Sequence, residues 1–136
     1  MRSIANSGLF FLGLFFFLTG LHVNSSSARS ATIIGVWHGG GKINPNNKAT
    51  EKARCRAHIQ QRSANSFTGS FNCSSSSGLA RQSVDLRKVG RSRYAGSFYN
   101  AQNNVRGSIS MSVHGNTLSA SMRSTKGTGW IRMRRR

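Results

Sequence analysis

The chain has 136 residues, with 20 Lys and Arg against two Asp and Glu, a formal net charge of +18 at pH 7. Two carboxylates leave little room for acid–base chemistry: a glycosidase pair or an aspartic dyad would consume both. So unbalanced a charge predicts attraction to polyanions whatever the fold.

In chain order, Met1-Arg2 is a short positive start, and residues 8–21 form an apolar run. A helix that spans a bilayer needs about 20 apolar residues. This run is shorter, and small residues follow it at Ser26-Ser27-Ala28. The segment 1–28 therefore reads as a cleavable signal peptide cut after Ala28. No Cys lies near the cut, which argues against a lipoprotein. An exported protein is expected, periplasmic or extracellular, with no integral membrane span after cleavage.

Residues 29–136 allow a single domain. No stretch repeats the 3.6-residue apolar spacing of an amphipathic helix. Short alternating runs separated by Gly, Asn and Ser predict an all-β domain. A first strand over 33–42 has Trp37 at its centre, expected to plug one end of a barrel. Gly39-Gly40-Gly41-Lys42 lacks the frame of a phosphate-binding loop, and its glycines predict a sharp bend.

Cys55 and Cys73 are centred on the turn-like Arg62-Ser-Ala-Asn65. Folding there puts Ala53, Cys55, Ala57 and Ile59 on one face with Phe67, Gly69, Phe71 and Cys73. Lys52, Arg54, Arg56 and His58 then share the opposite face with Thr68, Ser70 and Asn72. A slip by one residue would scramble both faces. An oxidising location and this register predict a Cys55–Cys73 disulfide.

A fourth strand over 79–86 carries Ala80, Val84 and Leu86 on one face. Tyr94, Gly96 and Phe98 share a face on a fifth. Val105, Gly107, Ile109, Met111 and Val113 alternate with polar residues up to Gly115-Asn116, a two-residue turn signal. Folding there pairs Val113 with Leu118, Met111 with Ala120 and Ile109 with Met122. A last strand over 127–133 contains Trp130 and Ile131. The prediction is a single small antiparallel barrel of about eight strands over 29–136, ending in a basic tail.

The segments Gly35-Val-Trp37-His-Gly39-Gly-Gly41 and Glu51-Lys-Ala-Arg-Cys55-Arg56-Ala57, with Cys73, Gly96-Ser-Phe98 and Gly107, resemble a family of small uncharacterised secreted bacterial proteins. Its pattern is roughly GxWxGxG, ExxxCRA and a second Cys. The GxW opening is shared with lipocalin-like and avidin-like barrels. The resemblance covers nearly all of 29–136 and implies an envelope location and a barrel-like domain. It implies no activity. Cys73-Ser74-Ser75 departs from the usual Cys-Ala-Ser, and Phe98 stands where Trp is usual. The strong positive charge is not part of the pattern, so polyanion binding does not come from the resemblance.

Basic residues cluster at Lys52, Arg54 and Arg56, at Arg87, Lys88, Arg91 and Arg93, and in the tail Arg132, Arg134, Arg135 and Arg136. Arg outnumbers Lys, which suits bidentate contacts to phosphate, sulfate or carboxylate. No nucleic-acid motif is present. Tyr94, Phe98, Tyr99 and Trp130 are expected mainly as core or plug. Glu51 and Asp85 are expected in structural ion pairs, Glu51 with Arg54 or Arg56. No histidine has metal-ligand spacing, and no cofactor is expected.

The reading is therefore a non-enzymatic barrel that binds anionic polymers: envelope polysaccharide, lipopolysaccharide or nucleic acid. One alternative is a small-ligand or protein-inhibitor barrel, since Gly96, Gly107 and Ala120 leave room inside. A weaker one is a ribonuclease-like site of His38, His114 and Lys42.

Overall fold

Alternating apolar and polar residues give each strand one face that must be buried, and a sheet closed on itself buries all of them at once. The computed structural model describes residues 32–136. The signal peptide expected over 1–28 lies outside these residues. The elements are β1 (Gly35–Pro45), β2 (Glu51–Ser63), β3 (Ser66–Ser75), β4 (Gly78–Lys88), β5 (Arg93–Asn100), β6 (Val105–His114), β7 (Thr117–Ser124) and β8 (Gly127–Arg135). Each strand pairs antiparallel with the next, and β8 pairs with β1 to close the barrel. Closure leaves no free edge among them.

Both hairpins have the register their patterns require. Cys55 faces Cys73 and Ala57 faces Phe71. The two sulfurs are bonded, with the Cα atoms 4.1 Å apart, and both residues are buried. The turn tightens to Ala64-Asn65 because a bulge between Gln61 and Ser63 absorbs one residue of β2. In the other hairpin Val113 faces Leu118, Met111 faces Ala120 and Ile109 faces Met122. Gly115 opens that turn with φ 59°, where a Cβ would be strained.

The run Gly39-Gly40-Gly41 bends β1 tightly against β8. A Cβ on Gly39 or Gly41 would collide with the carbonyl oxygens of Arg132 and Trp130. The strand thus has no side chain at two inward positions and coils closely enough to close the sheet.

The barrel interior is graded. One end is filled by Trp37, Ile59, Leu86, Val113, Leu118 and Met133, all fully enclosed. Phe67 and Tyr94 stack edge to face there, with ring centroids 5.2 Å apart. Trp37 is the plug: its Nε1–H donates to the Ile33 carbonyl at 2.9 Å. Arg135 lies over it, with the guanidinium carbon 4.3 Å from the ring centroid. The same guanidinium donates to the carbonyls of Ile34, at 2.6 Å, and Thr32. At the other end Ala80 and Gly129 leave room beside Ile43, Phe98, Val105 and Met122, and a cavity opens there.

Glu51 does not pair with Arg54 or Arg56. It shares the inward phase of Ala53, whereas both arginines project outward. Its carboxylate instead accepts from the hydroxyls of Ser75, Ser76 and Ser77. Those bonds, Ser77 first and then Ser76, hold the Glu51 carboxyl below the usual carboxylate range, with Lys48 a smaller contributor. A lowered pKa means the serine clasp is intact above that range and lost as pH falls through the lowered value. An NMR titration of the Glu51 side chain should show a midpoint below that of a free glutamate. A midpoint at or above it would contradict the clasp. The ion pair among the described residues is Arg62–Asp85 at 3.5 Å, with both side chains 68% exposed, so it contributes little.

Candidate anion-binding face

Outward positions on neighbouring strands line up in rows across the sheet, and the seam between β8 and β1 joins two of the basic clusters. His38 faces Arg56 on β2 and Arg134 on β8. Gly40 faces Arg54 and Arg132. Lys42 faces Lys52 and Trp130. Strands lie about 4.8 Å apart, so each row spans roughly 10 Å between its outer members. The first row runs on through Asn72 to Arg81.

Gly40 lies between two arginines and has no side chain, so the surface dips there. The groove has a volume of about 950 Å³, with His38, Lys42, Lys52, Arg54 and Trp130 in its walls. Ser74, Ser75 and Ser76 line its far side and offer hydroxyls. Trp130 is 45% exposed, and the Arg132 guanidinium sits over its ring at 5.5 Å. The Nε2 of His38, flanked by Arg56 and Arg134, is enclosed without a hydrogen-bond partner. The groove therefore combines the bidentate donor Arg54, two lysines and an exposed aromatic face, with the unpaired His38 nitrogen enclosed at its wall.

Not every basic residue joins this face. Arg54, Arg56, Arg132 and Arg134 belong to it, and the Arg136 N–H donates to the Val36 carbonyl beside the seam. Arg135 has the opposite strand phase and covers Trp37 at the barrel end. Arg87, Lys88, Arg91 and Arg93 surround the β4–β5 turn, four strands round the barrel from the seam. His38, Lys42 and Trp130 complete the face, although charge clustering alone does not point to them. Period-2 alternation places His38 and Lys42 outside, opposite in phase to Trp37. Their partners on β8 follow only from closure.

The other chemistry-bearing residues do not converge. His114 stands in the row of His38 but three strands away, through Thr117 and Arg134. That separation, roughly 14 Å, is too long for an acid and a base on one phosphate. Tyr94 and Phe98 are buried, and Tyr99 carries Arg106 over its ring at 4.1 Å. Among the described residues, no group of three or more His, Cys, Asp or Glu could hold a metal ion.

No protein-family model and no curated protein matches the chain significantly. Solved structures do match in shape. The redesigned β-barrel mFAP1, bound to DFHBI, is similar with a TM-score of 0.62 and 10% identity over 76% of this chain and 94% of that one. A de novo designed fluorescence-activating β-barrel is similar with a TM-score of 0.59 and 14% identity, over 76% of this chain and 93% of that one. At such identities the likeness establishes the class of fold, a small closed antiparallel barrel.

Proposed function

We propose that this protein is a non-enzymatic barrel that binds anionic polymers across its β8–β1–β2 face. The observation that supports this most is the merging of two basic clusters, far apart in sequence, into adjacent rows around Gly40. Anionic oxygens seated between Arg56 and Arg134 would give the His38 Nε2 a partner. The exposed Trp130 ring offers a stacking surface beside them. Export, as the 1–28 segment implies, would bring this face to envelope polysaccharide, lipopolysaccharide or extracellular nucleic acid.

The test compares two triple variants of the mature chain, titrated with fluorescent single-stranded DNA, heparin and lipopolysaccharide over a salt series. Replacing Arg54, Arg132 and Arg134 by Gln should weaken binding at least tenfold. On single-stranded DNA it should also lower the salt slope by about 2, at about 0.7 for each phosphate no longer neutralised. Replacing Arg87, Arg91 and Arg93 by Gln should change both far less. Equal effects of the two triples would mean that only net charge matters, and the face would be no site.

A further inference from the structure

The open end of the barrel contains a feature that the cationic face does not use. Here a cavity of about 290 Å³ enters the interior. Ile43, Ala80, Phe98, Val105 and Met122 line it with Gln82, and polar groups, Glu51, Asn100 and Lys126 among them, line the rest. Gln82 is on the inward face of β4, in phase with Ala80 and Val84. Its Oε1 is enclosed and has no hydrogen-bond partner. An enclosed polar atom left unpaired calls for an explanation, and a missing donor is the simplest. Room is left among these residues where Gly129 contributes no side chain and Ala80 only a methyl.

We propose that this mouth binds a small, largely apolar aromatic molecule that donates one hydrogen bond to Gln82. Size sets the class. A cavity of about 150 Å³ holds benzene, so one near 290 Å³ admits a molecule of one or two rings. Wall chemistry sets the rest: Phe98 supplies an aromatic face, and Met122 is a thioether that adapts to irregular ring edges. The Gln82 oxygen, the enclosed acceptor without a partner, supplies a directional demand. A site with a buried unpaired acceptor discriminates against a ligand that lacks the donor. The opposite end is sealed by Trp37 and Arg135, so the ligand enters and leaves through the mouth. This site is inside the barrel and the cationic face is outside, so the two readings stand or fall separately.

The probe is 2-naphthol, two rings with one O–H donor, compared with 2-methoxynaphthalene, which has the same rings and no donor. Binding to the mature protein is followed by fluorescence and by NMR of the Met122 methyl group and the Phe98 and Val105 amides. The expected result is that 2-naphthol binds about tenfold more tightly, with shifts confined to those residues. Gln82→Leu, shown to be folded by its thermal transition, should erase the preference and leave the methoxy compound unaffected. Equal affinity of the two compounds for the wild-type protein would overturn the proposal. So would shifts at Trp130 in place of the mouth, or no binding of either compound.

Discussion

Replacing Trp37 by alanine should destabilise the barrel by about 3–5 kcal/mol, the range for removing a fully buried large aromatic. The indole has no exposed surface and fills the closed end. Its loss leaves a cavity beneath Arg135 that the surrounding strands cannot collapse into, because closure fixes their spacing. Two further interactions go with it, the Nε1–H bond to Ile33 and the guanidinium stacked on the ring. Trp37→Phe should recover part of the loss. Arg135→Ala should cost about 1–2 kcal/mol, mostly through the stacking interaction. That variant should leave polyanion binding nearly unchanged, because Arg135 faces the barrel end. Urea unfolding measures the stability changes, and the salt titration measures binding. A Trp37→Ala loss below about 1 kcal/mol, well under that range, would mean that the plug does not seal a rigid end.

Removing the disulfide should cost about 3 kcal/mol in the chain-entropy account, since the bond closes a loop with a sequence separation of 18. For a domain of this size, that is roughly 12–20 °C in Tm. The double variant Cys55→Ala, Cys73→Ala and the wild-type protein in reductant should agree. The reduced protein should still be a barrel at low temperature. Ala57 against Phe71 and Ile59 against Gly69 set the β2–β3 register without help from the sulfurs. Unchanged thermal unfolding in reductant would show that the cross-link does not restrain the unfolded chain.

What is legible in the chain follows the range of the interactions. The β2–β3 and β6–β7 hairpins can be read because each is local: a turn, a period of two and, in one case, a cysteine pair all demand the same register. Arg135 reads as one of the tail cluster because charge runs ignore strand phase. Its side chain follows Ile131 and Met133 inward, while Arg132 and Arg134 go outward. Pairing Glu51 with Arg54 or Arg56 fails for the same reason, because the alternation of β2 separates them. The cationic face is the least legible. Its rows depend on the β1–β8 register, which no turn dictates. The mouth cavity does not lie where the sequence suggests room: Gly96, Gly107 and Ala120 do not line it, and the Phe98 ring fills the space over Gly107. The positions that open it, Ala80 and Gly129, come together from strands four apart round the barrel.

The seam has a consequence for how the protein is made. Trp37 pairs with Arg135 and His38 with Arg134, pairings that span nearly the whole described chain. Contacts so remote in sequence form slowly, because the chain must close a long loop before they repay its entropy. Local hairpins are expected to form first and the β1–β8 zipper last. The arginines of β2 and β8 become one array only when β8 pairs with β1. A chain halted one strand short would carry nearly the same charge, two raw sheet edges and no ordered face. The arginine array across the seam thus exists only on a closed barrel.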